Sequence, residues 1–135
     1  MNQEKNQGIH IVAIIGSVRP ENFTSRALAL VIDEFKMYKD ITLEVIDPSV
    51  IALPLPGKSG NPAEMRKFKD AVSRATGVVL STPEYHGSYS SVIKLVIENL
   101  GFPSVLSGKP VALLGVAAGQ IGAIKALEHL RSVCS

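Results

Sequence analysis

The sequence has one cysteine, no tryptophan and no apolar run that approaches the roughly 20 residues needed to span a bilayer. With Cys134 alone, no disulfide can close within the chain, which argues against a disulfide-framed secreted scaffold and suits a reducing compartment. The leading residues, Met1 to Gln7, are polar and carry no signal-peptide core. A cytoplasmic protein without a membrane partner is therefore expected. An excess of charge of one sign is also missing, since 14 basic and 12 acidic residues leave a net charge of +2. Lys36, Lys39, Arg66, Lys67 and Lys69 are spread over expected surfaces rather than gathered into a patch, so no nucleic-acid partner is expected.

Several chemical signatures are absent as well. There is no G-x-x-x-x-G-K-[ST] loop and no G-x-G-x-x-G after the first strand, which excludes two familiar phosphate cradles. A phosphatase loop needs a cysteine after the first strand, and a receiver domain needs carboxylates after the first and third. Gly16-Ser17 and Ser81-Thr82 stand there instead. No metal site is expected. No histidine–carboxylate or paired-carboxylate constellation offers acid–base catalysis, and His86 reads as a surface histidine.

What is present is a regular alternation. Hydrophobic residues make up 46% and charged residues 19% of 135, which suits one globular domain over 1–135. Ile9 to Ile15, Thr42 to Ile46, Gly77 to Leu80 and Val111 to Gly115 are short Val/Ile/Leu-rich strands. Three of them are nearly continuous apolar runs, as strands covered on both faces are. Between them, Leu28, Val31, Ile32, Phe35 and Tyr38 recur at helical spacing. Asn61-Pro62 caps a second helix carrying Met65, Phe68, Val72 and Ala75. A third helix is expected from Ser88 to Leu100, closed by Gly101, and a fourth from Gly119 or Gln120 with Ile124, Leu127 and Leu130 inward. This βα alternation predicts a flavodoxin-like α/β fold, a doubly wound parallel sheet with right-handed crossovers. Such sheets run in the order 2-1-3-4-5. Four strands are legible, so the chain is expected to lack the last strand and helix, leaving the apolar PVALLG segment at an edge.

Ligands of open α/β sheets bind beyond the carboxyl ends of the strands, and three of those loops are distinctive. Gly16 to Ser25 offers backbone N–H groups, hydroxyls of Ser17, Thr24 and Ser25, the Asn22 amide and the Arg19 cation before a helix N-terminus. These suit a phosphate, or equally a helix cap at Asn22 or Thr24 with Arg19 solvated. Ser81 to Ser88 reads either as an edge that meets a planar heterocycle through backbone amides or as a tight turn with Ser88 capping the next helix. Gly115 to Gly122 is small enough for a flat ligand to approach, with a helix N-terminus to favour negative charge on it, or else serves close helix–sheet packing.

The segments GSVRPENFTSRAL, STPEYHGSYSSVIKLVIENL and LLGVAAGQIGAIKALEHLR, in that order, resemble the NADPH-dependent FMN reductase family of quinone, azo and chromate reductases. The resemblance runs from Ile11 to about Val133 and is most specific at P-E-Y-x-G-S. It implies FMN as cofactor, NADPH or NADH as co-substrate, a small-molecule acceptor and a homodimer or homotetramer. Carried over by position, Ser17, Arg19, Asn22, Phe23 and Thr24 match the phosphate loop. Pro83, Glu84, Tyr85, His86, Gly87 and Ser88 match the loop along the isoalloxazine edge, and Ala118, Gly119 and Gln120 the loop near the rest of the ring. Leu53-Pro54-Leu55 matches a leucine-proline motif at the rim. Two departures stand out: His86 replaces a frequent asparagine, and Lys94-Leu95 replaces a lysine-asparagine pair. The implied chemistry passes hydride from nicotinamide C4 to flavin N5 and on to the acceptor, with no catalytic side chain. The alternative is a non-catalytic electron carrier or redox-sensing flavoprotein, for which an acidic docking face would be expected and is not evident.

Overall fold

The computed structural model describes residues 8–135; the polar Met1–Gln7 stretch lies outside the described residues. The elements follow as β1 (Ile9–Ile14), α1 (Phe23–Phe35), β2 (Ile41–Ile46), α2 (Pro62–Arg74), β3 (Gly77–Pro83), α3 (Ser91–Glu98), β4 (Val111–Val116) and α4 (Ile124–Cys134), with a short 3-10 turn at Pro48–Val50. The four strands form one parallel sheet in the order β2-β1-β3-β4. Ile9 pairs with Ile41 across β1 and β2, and Ile11 with Gly77 across β1 and β3.

The order follows from the sequence pattern. Residues 77–83 of β3 are all buried, because β3 lies between β1 and β4 with helices on both faces. β2 is an outer strand, and there Glu44 and the exposed Val45 interrupt the apolar run. One face holds Val12, Ile14, Val78 and Leu80 against Phe68 and Val72 of α2, Ile93 and Val96 of α3 and Leu130 of α4. The other face holds Ala13 and Val79 under Leu28 of α1. Each fully buried aliphatic side chain contributes about 1.5–3 kcal/mol. β4 is the outer strand on the far side, as its apolar edge in the sequence suggested.

Four boundaries differ from the sequence reading. β3 continues through Ser81, Thr82 and Pro83 instead of ending at Leu80, because their polar groups are satisfied inside the sheet. α1 stops at Phe35, leaving Tyr38 half-exposed beyond it. α3 begins at Ser91 and α4 at Ile124, several residues later than expected. Asn61 and Pro62 do start α2, with Asn61 Oδ1 accepting from Ala63 and Glu64 N–H. Among the described residues, no helix is long and apolar enough to cross a membrane, and no cluster of three or more His, Cys, Asp and Glu residues could hold a metal.

Candidate functional site

The chain turns outward from β1 to β2, then returns past β1 to β3, so the sheet reverses direction between β1 and β3. The loops leaving β1 and β3 are thereby forced side by side at the carboxyl end of the sheet. A buried hydroxyl network joins them. Gly16 N–H donates to Ser81 Oγ at 3.3 Å, and the Ser81 hydroxyl donates to the Ile14 carbonyl at 2.8 Å. The Ser90 hydroxyl donates to the Gly16 carbonyl at 2.6 Å and accepts from Ile93 N–H at 3.1 Å, capping α3. Ser90 N–H donates to Thr82 Oγ1 at 3.0 Å. Gly16 is confined between these groups, since a Cβ there would overlap the Ser81 carbonyl oxygen and lie 2.9 Å from its carbon.

Beyond Gly16 the first loop wraps onto the start of α1. Asn22 is its cap: Oδ1 accepts from Ser25 N–H at 2.7 Å, while Nδ2 donates to the Arg19 carbonyl at 2.7 Å. Both ends of that amide are engaged, so Asn22 shapes the loop. Ser17 is buried; its Oγ accepts from Arg19 N–H at 3.3 Å, which leaves its own proton available. Thr24 is 2% exposed, and its hydroxyl has no hydrogen-bond partner among the described residues. The N–H groups of Phe23 and Thr24, the first two of α1, have no backbone acceptor among the described residues. They are the orphan donors of a helix start, with the positive end of its dipole behind them.

After β3, Glu84 N–H donates to the Val116 carbonyl at 2.9 Å, extending the β3–β4 ladder by one residue. Tyr85 and Ser88 then exchange backbone hydrogen bonds of 3.0 and 3.1 Å around His86 and Gly87. Both central residues have positive φ, 51° and 71°, the backbone of a type I′ turn. Histidine is among the few non-glycine residues that tolerate this conformation. The tight turn postpones α3, so Ser90 caps it and Ser88 does not; Ser88 Oγ instead meets His129 Nδ1 at 2.9 Å.

At the end of β4 the packing role is the one the contacts show. Gly115 serves packing, since a Cβ there would lie 2.7 Å from Ala123 Cβ and 2.9 Å from Leu127 Cγ. Ala118, Gly119 and Gln120 are exposed, and nothing lies within 4 Å of where a Gly119 Cβ would be. α4 starts at Ile124 without a cap of its own, and the Glu84 carboxylate from the neighbouring loop accepts from Ala126 N–H at 3.0 Å. The positive end of α4 therefore already faces an anion. Replacement of Glu84 by Ala should lower stability by about 1 kcal/mol, read from the urea midpoint. An unchanged midpoint would remove Glu84 as the cap of α4.

These loops enclose a cleft of about 630 Å³ walled by Arg19, Asn22, Phe23, Thr24, Pro83, Glu84, Tyr85 and Ala118, together with Pro20, Glu21, Val116 and Ala117. The last four were missed in the sequence, although their loops were identified. Ser17 lies in an adjoining cleft of about 570 Å³ that shares Arg19 and Asn22. His86, Gly87, Ser88, Gly119 and Gln120 fall outside the walls. The Arg19 guanidinium lies 5.2 Å from the Tyr85 ring centroid and bridges the first loop to the second. A larger cavity, about 1000 Å³, opens beside Gly101, Phe102 and Val111, toward the amino end of β4. It is remote from the strand ends where the loop chemistry gathers.

Comparison with known proteins agrees with this architecture. The model of the NADPH-dependent FMN reductase family matches residues 9–135. A 2-hydroxy-1,4-benzoquinone reductase of Burkholderia sp. is 32% identical over 136 residues, covering 94% of this chain and 70% of that protein. An NAD(P)H-dependent FMN reductase of Pseudomonas aeruginosa is 32% identical over 129 residues, covering 91% and 68%. Among solved structures, an NADH:FMN oxidoreductase superposes with a TM-score of 0.77 at 23% identity, covering 93% of this chain and 67% of that one. The NAD(P)H:(acceptor) oxidoreductase of Paracoccus denitrificans gives 0.75 at 23%, covering 93% and 70%. With the family model matched from β1 through α4 and the sheet order in agreement, the chain belongs to the NADPH-dependent FMN reductase family.

Proposed function

We propose that residues 1–135 act as one FMN-binding domain of an oxidoreductase that takes hydride from NAD(P)H and delivers it to a small acceptor, such as a quinone or an azo compound. The observation that carries this reading is the unmatched donor set at the head of the cleft. Phe23 N–H, Thr24 N–H and the Thr24 hydroxyl, which is open to the cleft side, lack partners among the described residues, and Arg19 adds a cation. Such donors fit a phosphate dianion, and the cleft volume fits a cofactor of nucleotide size.

The chain's own residues then divide the work. Thr24, Ser17 and the first N–H groups of α1 hold the phosphate, Asn22 fixes the loop that presents them, and Arg19 neutralises charge. Pro83 and Tyr85 wall one side of the ring and Ala118 the other. The N–H groups of His86 and Gly87 at the turn tip, which have no backbone acceptor among the described residues, would serve a ring edge that reaches past the wall. Ser88, Gly119 and Gln120 would serve the outer part of the ring from the flanking loops, and Glu84 holds the start of α4. When bound, the flavin supplies the hydride acceptor and donor atom; the protein excludes competing geometry and orients the ring.

An anaerobic visible spectrum of the FMN-loaded protein, before and after NADPH and then NADH, tests the reading. Bleaching far faster than with free FMN supports it. Binding without bleaching by either nucleotide favours the electron carrier or sensor instead. Arg19→Ala should raise the FMN dissociation constant about fivefold by fluorescence quenching, since it removes one charge-assisted contact from an exposed site. Equal affinity would take Arg19 out of the phosphate site. We also read the protein as cytoplasmic and as a homodimer or homotetramer; the exposed Leu30 on α1 and Met37 and Tyr38 just beyond it support the assembly. Light scattering of the eluted protein tests the assembly, and a monomer mass at micromolar concentration would refute it.

A further inference from the structure

The His86–Gly87 turn is held from outside the cleft. Its own backbone contributes the pair of hydrogen bonds exchanged by Tyr85 and Ser88, 3.0 and 3.1 Å long, around two residues of positive φ. A hairpin of that size is marginal in water, so contacts from elsewhere in the fold have to fix it. One side of α4 supplies them. Before the turn, Glu84 Oε2 accepts from Ala126 N–H at 3.0 Å. After it, Ser88 Oγ and His129 Nδ1 lie 2.9 Å apart. At the tip, a Cβ on Gly87 would come within 3.6 Å of Lys125 Cδ, so the stem of that lysine lies over the glycine. Lys125 and Ala126 precede His129 by four and three residues, the spacing that puts side chains on one side of a helix.

α4 is itself anchored. Ala126 and Leu130 are fully buried, and Gly115 admits Ala123 and Leu127 against β4. We propose that His129 is a positioning residue for the flavin site: through Ser88 it holds the turn in the form that presents the His86 and Gly87 N–H groups to the ring edge. The proposal rests on the flavin-dependent reading above and adds to that site a residue that lies outside its walls.

The energetics are local. Glu84 ties the entry of the turn to α4 with a charge-assisted bond, and the Ser88–His129 contact ties its exit. Loss of the second tie leaves the turn fastened on one side. A serine hydroxyl both donates and accepts, so the contact forms with either imidazole tautomer. His129 is exposed and takes part in none of the three ion pairs among the described residues. Its removal should therefore matter little for global unfolding. An ordinary net hydrogen bond nevertheless shifts a local opening equilibrium about two- to tenfold. Ligand affinity falls with the fraction of molecules whose site is correctly formed.

Amide hydrogen exchange of the full chain, read by NMR beside a fluorescence titration with FMN, tests the proposal. In flavin-free His129→Ala, exchange at the Tyr85 and Ser88 amides should speed about fivefold, while the Leu80 amide of β3 keeps its rate. The FMN dissociation constant should rise at least about twofold. His129→Asn should return both readings toward the parent, because asparagine carries its polar atoms at the same distance along the side chain as Nδ1. Ser88→Ala with His129→Ala should lose no more than Ser88→Ala alone. Unchanged exchange at Tyr85 and Ser88 in His129→Ala would overturn the proposal and leave the flavin-dependent reading standing. Faster exchange with unchanged FMN affinity would do the same, as would equal losses in the Asn and Ala variants or additive losses in the double variant. A parent chain that takes up no FMN would overturn the flavin-dependent reading and this proposal together.

Discussion

Gly16→Ala should destabilise the protein by about 3 kcal/mol or more, a loss visible as a large drop in the urea midpoint, and should lower FMN affinity at least tenfold in whatever folded fraction remains. The added methyl would overlap the Ser81 carbonyl oxygen and crowd the Ser81 carbonyl carbon and Thr82 Cα, at 2.9 and 3.1 Å. These are backbone atoms of the central strand, paired on both sides, so they cannot turn aside as the tip of a side chain can. Relief would require β1 and β3 to separate where the sheet reverses direction. That separation would disconnect Gly16 from Ser81 and Ser90 together and displace the loop that carries Ser17 through Thr24. No positive φ is involved at Gly16; the requirement is one of space. A midpoint within about 0.5 kcal/mol of the parent would show that the two strands can part at little cost, and the rigid junction would be wrong.

Ser90→Ala should cost about 2 kcal/mol, with a parallel loss of flavin affinity. One hydroxyl performs two tasks here. It caps α3 by accepting from Ile93 N–H, and it donates to the carbonyl of the buried Gly16. Loss of an N-cap costs about 1 kcal/mol, and withdrawal of the donor from an enclosed carbonyl adds a comparable amount. Ser90→Thr keeps both hydrogen-bonding roles and should restore most of the stability if its methyl is accommodated. Ser88→Ala is the control, since Ser88 meets only His129 at the surface. It should change stability by less than about 0.5 kcal/mol. If Ser88→Ala proved the more damaging of the two, the assignment of the α3 cap to Ser90 would fail.

The pair of serines also shows where local pattern stops being informative. Ser88, Ser90 and Ser91 are equally plausible caps in one dimension, and the first after Gly87 looks best placed. The choice is made by the His86–Gly87 turn, whose backbone reverses the chain, and by the Gly16 carbonyl, which lies 74 residues away in sequence. Glu84 is a similar case. In the sequence it belongs to a loop expected to meet a ring, whereas in the structure its carboxylate caps a helix that begins 40 residues later. By contrast, Asn61-Pro62 and Asn22 could be recognised as caps from their neighbours alone, because each binds N–H groups two or three residues ahead.

By itself, the sequence determined the alternation of strands and helices, the parallel sheet and the three loops that carry polar chemistry. Apolar periodicity and cap residues report on contacts made within a few residues, and right-handed crossovers leave few ways to join such units. The family resemblance was legible for the same reason, since its motifs are contiguous segments. Only the tertiary structure decided which members of those loops face one cleft and which are engaged elsewhere. Ser81, Ser90 and Glu84 are assigned by partners that the sheet brings together from distant segments, while Thr24 is distinguished by the enclosed space around it. Hydrogen-bond satisfaction and steric fit depend on distances in space, and spacing along the chain does not contain them.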